Sequence, residues 1–218
     1  IDGLELSLYR SESRESQSSC SSELPVTLRS GLNSRANVNN IIGASAVALE
    51  LGLSVEDVVA GVDIDPLTQR LNPISFSGGI VLDDTYNANP TATVNALKHV
   101  SEVDSFDHRY FVFGDMKELG EDGPKLHREL SPVICRSGIE TMVGVGDLTR
   151  ELVEELRMNT GEDCTVNAEW FDSRSELKGR LVELISGDNN LVLVKGSRSM
   201  EMEEFVDFLT GGSYPSTV

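Results

Sequence analysis

The chain has 218 residues, 39% apolar and 25% charged, which suits one full domain and part of a second. Its 36 acidic residues against 18 Lys and Arg give a formal net charge of −18. That excess excludes nucleic acid as a natural partner, since phosphate neutralisation needs clustered Lys and Arg, and no apolar run is long enough to predict a membrane span.

Residues 1–28 read as two short strands, Leu4–Tyr9 and Leu24–Leu28, around a polar Ser11–Ser22 segment that has almost nothing to bury and is expected as a hairpin loop. The opening residues show neither a signal-peptide pattern nor an initiator Met, so the chain is expected to begin inside a longer protein. Val38, Ile41, Ile42, Ala48 and Leu49 recur at helical spacing and predict an amphipathic helix over 36–51, with Ser45 on the same face. Ser54, with Asp57 three residues on, predicts a capped second helix that buries Val55, Val58 and Val59.

A Ser-Phe-Ser-Gly-Gly stretch within Pro73–Gly79 marks the expected domain boundary, which divides the chain into residues 1–75 and 76–213. Beyond it, apolar strands (79–82, 110–113, 141–145, 168–171, 190–194) alternate with helical patterns (91–103, 124–137, 148–158, 175–186, 200–209). That alternation predicts an α/β, Rossmann-like, mainly parallel sheet with helices on both faces. Cys20, Cys135 and Cys164 lie far apart with no CxxC pair, which argues against disulfides and zinc and fits a reducing compartment.

The chemistry concentrates where a short apolar strand, Ile80–Leu82, runs into Asp83-Asp84-Thr85-Tyr86-Asn87-Ala88-Asn89-Pro90. Polar residues just past the carboxyl end of a strand are where α/β sheets bind ligands, although an Asx-rich turn ending in a helix cap would read the same way. This octapeptide resembles the DD-[ST]-YNANP motif of the Mur ligases that add D-alanyl-D-alanine to the peptidoglycan precursor. Gly114-Asp115-Met116-Lys117-Glu118-Leu119-Gly120-Glu121 and Leu193-Val194-Lys195-Gly196-Ser197-Arg198 are similar to two further motifs of that family, in the same order.

The resemblance implies an ATP-dependent amide-forming ligase acting with Mg²⁺ on a UDP-muramoyl-peptide, present as the tail of an α/β ATPase domain followed by the complete carboxyl-terminal domain. It further implies a monomer located in the cytoplasm or a plastid stroma. Asn37 and Asn40 would lie beside the adenine, although Ser34 and Ala36 replace the Gly and His of the family segment. Arg70 would reach the γ-phosphate. Asp84, with Asp83 as the alternative, would accept the ribose hydroxyls, and Tyr86, Asn87 and Asn89 would line the cleft. Asp115, Lys117, Lys195 and Arg198 stand as the candidate catalytic residues, with Lys195 and Arg198 holding the dipeptide carboxylate, Gly196 letting the backbone approach the ligand and Ser199 capping the next helix. A family His falls near His127, which on a helix face is equally a structural residue; His99 and His108 have no role. No residue is expected to bind a metal.

One expected part is missing. None of the five lysines is followed by Ser or Thr, so the phosphate-cradling G-x-x-x-x-G-K-[ST] loop is absent, and the chain alone is expected to be inactive. Two other readings stay open: a non-catalytic Rossmann-like module that binds a nucleotide or a protein partner, and a relative of the folate-polyglutamate ligases.

Overall fold

A computed structural model describes residues 4–8, 26–30, 35–64, 67–159, 161, 164–185 and 187–212. The chain divides into two compact units at Leu67/Thr68. In the first unit, β1 (Leu4–Leu8) and β2 (Val26–Ser30) pair antiparallel, as a hairpin requires. The Ser11–Ser22 segment lies outside the described residues, as does Cys20. Helix α1 (Arg35–Glu50) buries Ile41 and Ser45 but leaves Ile42 and Leu49 exposed, so its buried stripe is narrower than the expected apolar face. Helix α2 (Val55–Val62) carries the predicted capping box from Ser54 and Asp57. It buries Val55, Val58 and Val62, while Val59 packs at the margin of a small core with Leu28 and Ile41.

The second unit is built on one six-stranded sheet. Its strands are β3 (Asn72–Phe76), β4 (Gly79–Asp84), β5 (His108–Gly114), β6 (Thr141–Val145), β7 (Asn167–Phe171) and β8 (Asn190–Lys195), in the order β3-β4-β8-β5-β6-β7. Strand β3 runs antiparallel at one edge and all other pairs are parallel. β3 went unread in the sequence, and it occupies the stretch where the boundary was expected. Its backbone pairs with β4, so the division falls earlier, and an edge strand tolerates Pro73 because the missing N–H leaves no ladder bond unmade in the interior.

Helices cover both faces of the sheet. Alternation along the strands sends Leu82, Phe111, Phe113, Leu191 and Leu193 to a core shared with α3 (Pro90–Ser101) and α6 (Asp147–Met158). The intervening residues Val81, Val112, Val192 and Val194 face α7 (Arg174–Leu184) and α8 (Glu203–Thr210). Strand β8 is buried along its whole length, as a central parallel strand should be.

The single helix expected over 124–137 is two, α4 (Gly123–Arg128) and α5 (Ser131–Cys135). Pro132 has no N–H to donate to the carbonyl of Arg128, so the helix breaks and Pro132 sits in the first turn of the next one. Helix α8 starts later than expected, after a 3₁₀ turn over Arg198–Met200, and its N-cap is Met202; Ser199 does not cap it. The cysteine reading is also overturned. Cys135, at the end of α5, and Cys164, beyond α6, form a disulfide with Cα atoms 4.8 Å apart, because the α5–α6 packing brings together residues 29 apart in sequence.

Candidate functional site

Three neighbouring parallel strands end together. Asp84 of β4 is level with Lys195 of β8, which is level with Phe113 of β5. The loops that follow therefore emerge side by side at the carboxyl end of the sheet and enclose an open cleft of about 520 Å³. Tyr86 and Asn87 line it from the first loop, Lys117 and Glu118 from the second, and Ser197, Arg198 and Ser199 from the third.

Behind the cleft lies a buried ion pair. The Lys195 side chain is 1% exposed and Asp84 13%, and Lys195 Nζ donates to Asp84 Oδ2 at 2.5 Å and to the carbonyl of Asn87 at 2.9 Å. The other Asp84 oxygen accepts the Leu71 N–H at 3.2 Å. Lys195 thus braces the Asp84–Asn87 loop from within and does not line the cleft. Asp83 is fully buried, and its Oδ1 accepts the N–H and Oγ1–H of Thr85. Asn89 acts as the N-cap of α3, accepting the Ala92 N–H at 2.8 Å with Pro90 in the first turn, and is likewise not part of the cleft lining.

Arg70 lies across the mouth of the first loop. Its guanidinium stacks over the Tyr86 ring at 4.4 Å, and the Tyr86 N–H donates to the Gln69 carbonyl. Gln69 and Leu71 both have positive φ, which for such residues costs about 1–3 kcal/mol each and persists only where neighbours hold the backbone. Here the holds are Asp84 and Tyr86. Arg198 is 61% exposed and donates to Glu203 at 2.8 Å and to Gln69 at 3.3 Å. Gly196 is needed for close packing: a Cβ there would lie 2.5 Å from Met202 Cγ and 3.2 Å from Gly114 Cα, so the close approach is to protein. Asn37 and Asn40 lie inside α1 of the first unit, neither at its cap position, with Asn37 partly buried and Asn40 exposed.

The second loop is held at several points. Asp115 is fully buried and accepts the N–H and Oγ1–H of Thr149 in the first turn of α6, at 2.8 and 2.9 Å. Its other oxygen accepts from Lys117 Nζ at 2.7 Å. Burial by itself would push this carboxyl up, but the bonds from Lys117 and Thr149 hold it below the usual carboxylate range. Gly146 makes room for it, since a Cβ there would lie 2.4 Å from Asp115 Oδ1. The Lys117 N–H donates to Ser197 Oγ at 2.7 Å, tying the second loop to the third. Thr149 carried no signal in the sequence, because a helix-start Thr is indistinguishable from any other until the fold brings it against Asp115.

His127 is fully buried beneath this loop, with burial pushing its ring pKa down and Lys117 lowering it further. The unfolded chain takes up a proton near the ordinary value of 6.5 while the folded chain resists it, so stability is complete above that pH and declines below it. The decline is expected to approach about 1.4 kcal/mol per pH unit until the folded ring titrates. Chemical denaturation of wild type and His127→Gln at pH 7.5 and 5.5 checks this: the variant should lose less stability on acidification, and parallel losses remove His127 as the cause.

A six-stranded α/β domain that gathers cations and amide groups at the carboxyl ends of three adjacent parallel strands is a ligand-binding domain of the Rossmann-like class. The domain described as "Mur ligase, glutamate ligase domain" matches residues 69–198, and the chain belongs to the Mur ligase family. It is 33% identical over 177 residues to a UDP-N-acetylmuramoyl-tripeptide--D-alanyl-D-alanine ligase of Haemophilus influenzae, an alignment covering 78% of this chain and 36% of that enzyme. Among solved structures it is similar to MurF from Acinetobacter baumannii, with a TM-score of 0.73, 28% identity and coverage of 85% of this chain and 40% of that one. The fold is also that of MurF ligase from Thermotoga maritima in complex with ADP, with a TM-score of 0.68, 21% identity and coverage of 86% and 41%. The chain therefore spans little more than a third of the curated relative it matches.

Proposed function

We propose that this chain is the carboxyl-terminal part of an ATP-dependent ligase that joins D-alanyl-D-alanine to a UDP-muramoyl-peptide. Residues 1–67 are the end of its ATPase domain, and the second unit, from Thr68 onward, is its carboxyl-terminal domain. The observation that carries the reading is the cleft itself, because the three segments that line it are those in which the sequence resembles the family's motifs. The named activity of the Haemophilus relative and the ADP bound by the Thermotoga protein support it.

In this reading ATP phosphorylates the peptide carboxylate, and the dipeptide amine then displaces phosphate. Lys117, steadied by Asp115, offers an ammonium to the anions that meet in the cleft. Arg198 exchanges Glu203 for the dipeptide carboxylate, which its planar fork fits. Lys195 keeps the Asp84 loop in place rather than touching the dipeptide. Asp84 retains lone pairs for the ribose hydroxyls, and Arg70 and Tyr86 form one wall for the nucleotide. Among the described residues no group of three or more His, Cys, Asp or Glu is placed to hold a metal. Mg²⁺, which usually takes one or two carboxylates with substrate phosphates, would be held mainly by the rest of the ATPase domain, so no step is assigned to it here. No helix among them is long and apolar enough to cross a membrane. A monomer in the cytoplasm or a plastid stroma completes the reading.

The test is a chimera in which this chain replaces the matching third of the Haemophilus influenzae enzyme. It should form product from UDP-muramoyl-tripeptide, D-alanyl-D-alanine and ATP, whereas this chain alone should not turn over ATP. In the chimera, Arg198→Lys should raise KM for the dipeptide roughly tenfold with KM for ATP unchanged. A folded chimera that makes no product ends the ligase reading, and unchanged constants in the variant leave Arg198 as a surface partner of Glu203.

A further inference from the structure

His127 takes no part in that mechanism, yet it is fully buried and joins two backbones. Its Nδ1 lies 2.7 Å from the carbonyl oxygen of Gly123, and its Nε2 lies 3.0 Å from the backbone nitrogen of Met116. A carbonyl only accepts and a backbone N–H only donates. The ring is therefore neutral with its proton on Nδ1: it donates to Gly123 and accepts from Met116. Met116 sits between Asp115 and Lys117. The loop it belongs to is not one the backbone would adopt unaided, because Glu118 has φ +63° and Gly120 φ +58°.

We propose that His127 is a positioning residue of the cleft, a neutral imidazole that clamps Met116 to α4 and so fixes the direction in which the loop presents Lys117 and Glu118. Other holds act on the same loop: Thr149 through Asp115, Ser197 through the Lys117 N–H and the Asp115 carbonyl, and Thr93, whose Oγ1 donates to the Met116 Sδ at 3.7 Å. Among the described residues the imidazole alone bonds the Met116 backbone N–H, from the helix beneath. Protonation would leave Nε2 with a hydrogen facing the Met116 N–H, and the clamp would open. The charged groups that bear on the ring are Asp115 at the end of β5, which favours the proton, and Lys117 in the loop, which opposes it. The Phe113 ring, 6.0 Å away, closes the apolar side. The clamp thus works at neutral pH and fails on acidification.

The inference rests on the ligand cleft of the proposed function, but its test needs no ligand. Amide hydrogen exchange is read at Lys117, whose acceptor Ser197 is untouched by substitution of His127. In His127→Phe, which keeps a ring but neither bond, exchange at Lys117 should rise at least tenfold while Phe111–Phe113 in β5 stay protected. His127→Gln, whose amide can donate and accept, should bring Lys117 back to within about threefold of wild type. Ring ¹⁵N shifts of the wild type should show Nδ1 protonated and Nε2 bare between pH 6.5 and 8. Unchanged exchange at Lys117 overturns the proposal, as does an Nε2–H tautomer. Equal acceleration in the Phe and Gln variants assigns the effect to a disturbed fit of any substituted side chain rather than to the two bonds, and a rise that extends through β5 makes His127 a general core residue; either outcome overturns the clamp. Should the chimera prove inactive while these exchange results hold, the ligase reading fails and the clamp stands.

Discussion

Asp84→Ala is expected to lower the unfolding free energy by about 3–5 kcal/mol, the range found when one partner of a buried ion pair is removed and the other is left uncompensated. The stranded group is Lys195, whose ammonium is almost wholly buried beneath the first cleft loop and donates also to the Asn87 carbonyl. Asp84→Ala also strips the Leu71 N–H of its acceptor, which frees the strap that carries Arg70. Lys195→Met should be costly by the same logic, since Asp84 would keep a charge with one hydrogen bond. The double variant Asp84→Ala/Lys195→Met, with neither charge left, should recover part of the loss, giving a coupling well above that of a surface pair. Urea denaturation of the four proteins measures this. A single-variant loss under about 1 kcal/mol would place the pair with exposed salt bridges and take away its bracing role.

Reducing the Cys135–Cys164 bond is expected to cost the chain about 3–4 kcal/mol. In the chain-entropy account a cross-link restricts the unfolded state by an amount set by the loop it closes, here a sequence separation of 29. Cys135→Ser should reproduce the loss, and adding reductant to that variant should do nothing more. Mass measurement after alkylation decides whether the bond forms: two protected cysteines without reductant support it, whereas labelling of both shows that the thiols merely lie close. The result also bears on the proposed cytoplasmic or stromal setting. Disulfides there are usually transient, so a cell would hold this chain in its less stable form unless the bond is regulated.

Both expectations depend on contacts that the sequence did not display. The three segments Asp83–Pro90, Gly114–Glu121 and Leu193–Arg198 could be read as one site because each follows an apolar strand, and parallel strands with helical crossovers bring such ends to one side. Their internal division of labour could not. Asp83 and Asp84 are adjacent and chemically alike, yet the alternation of a strand turns one into the buried interior with Thr85 and the other toward Lys195. Lys195 and Lys117 both stand in recognisable motifs; one is consumed inside the sheet end and the other reaches the cleft.

What the sequence by itself determined is local and periodic. The alternation of parallel strands and helices in the second unit, the Ser54 capping box and the family all follow from residues near one another in the chain. Only the tertiary structure decided the edge strand around Pro73, the disulfide, the Lys195–Asp84 pair and the bridge from His127 to Met116. Periodicity reports which face of an element is apolar, but not which distant residue will meet it there. A buried charge or imidazole takes its role from the partner that satisfies it, and Asp84 and Lys195 become partners only when β4 and β8 lie side by side.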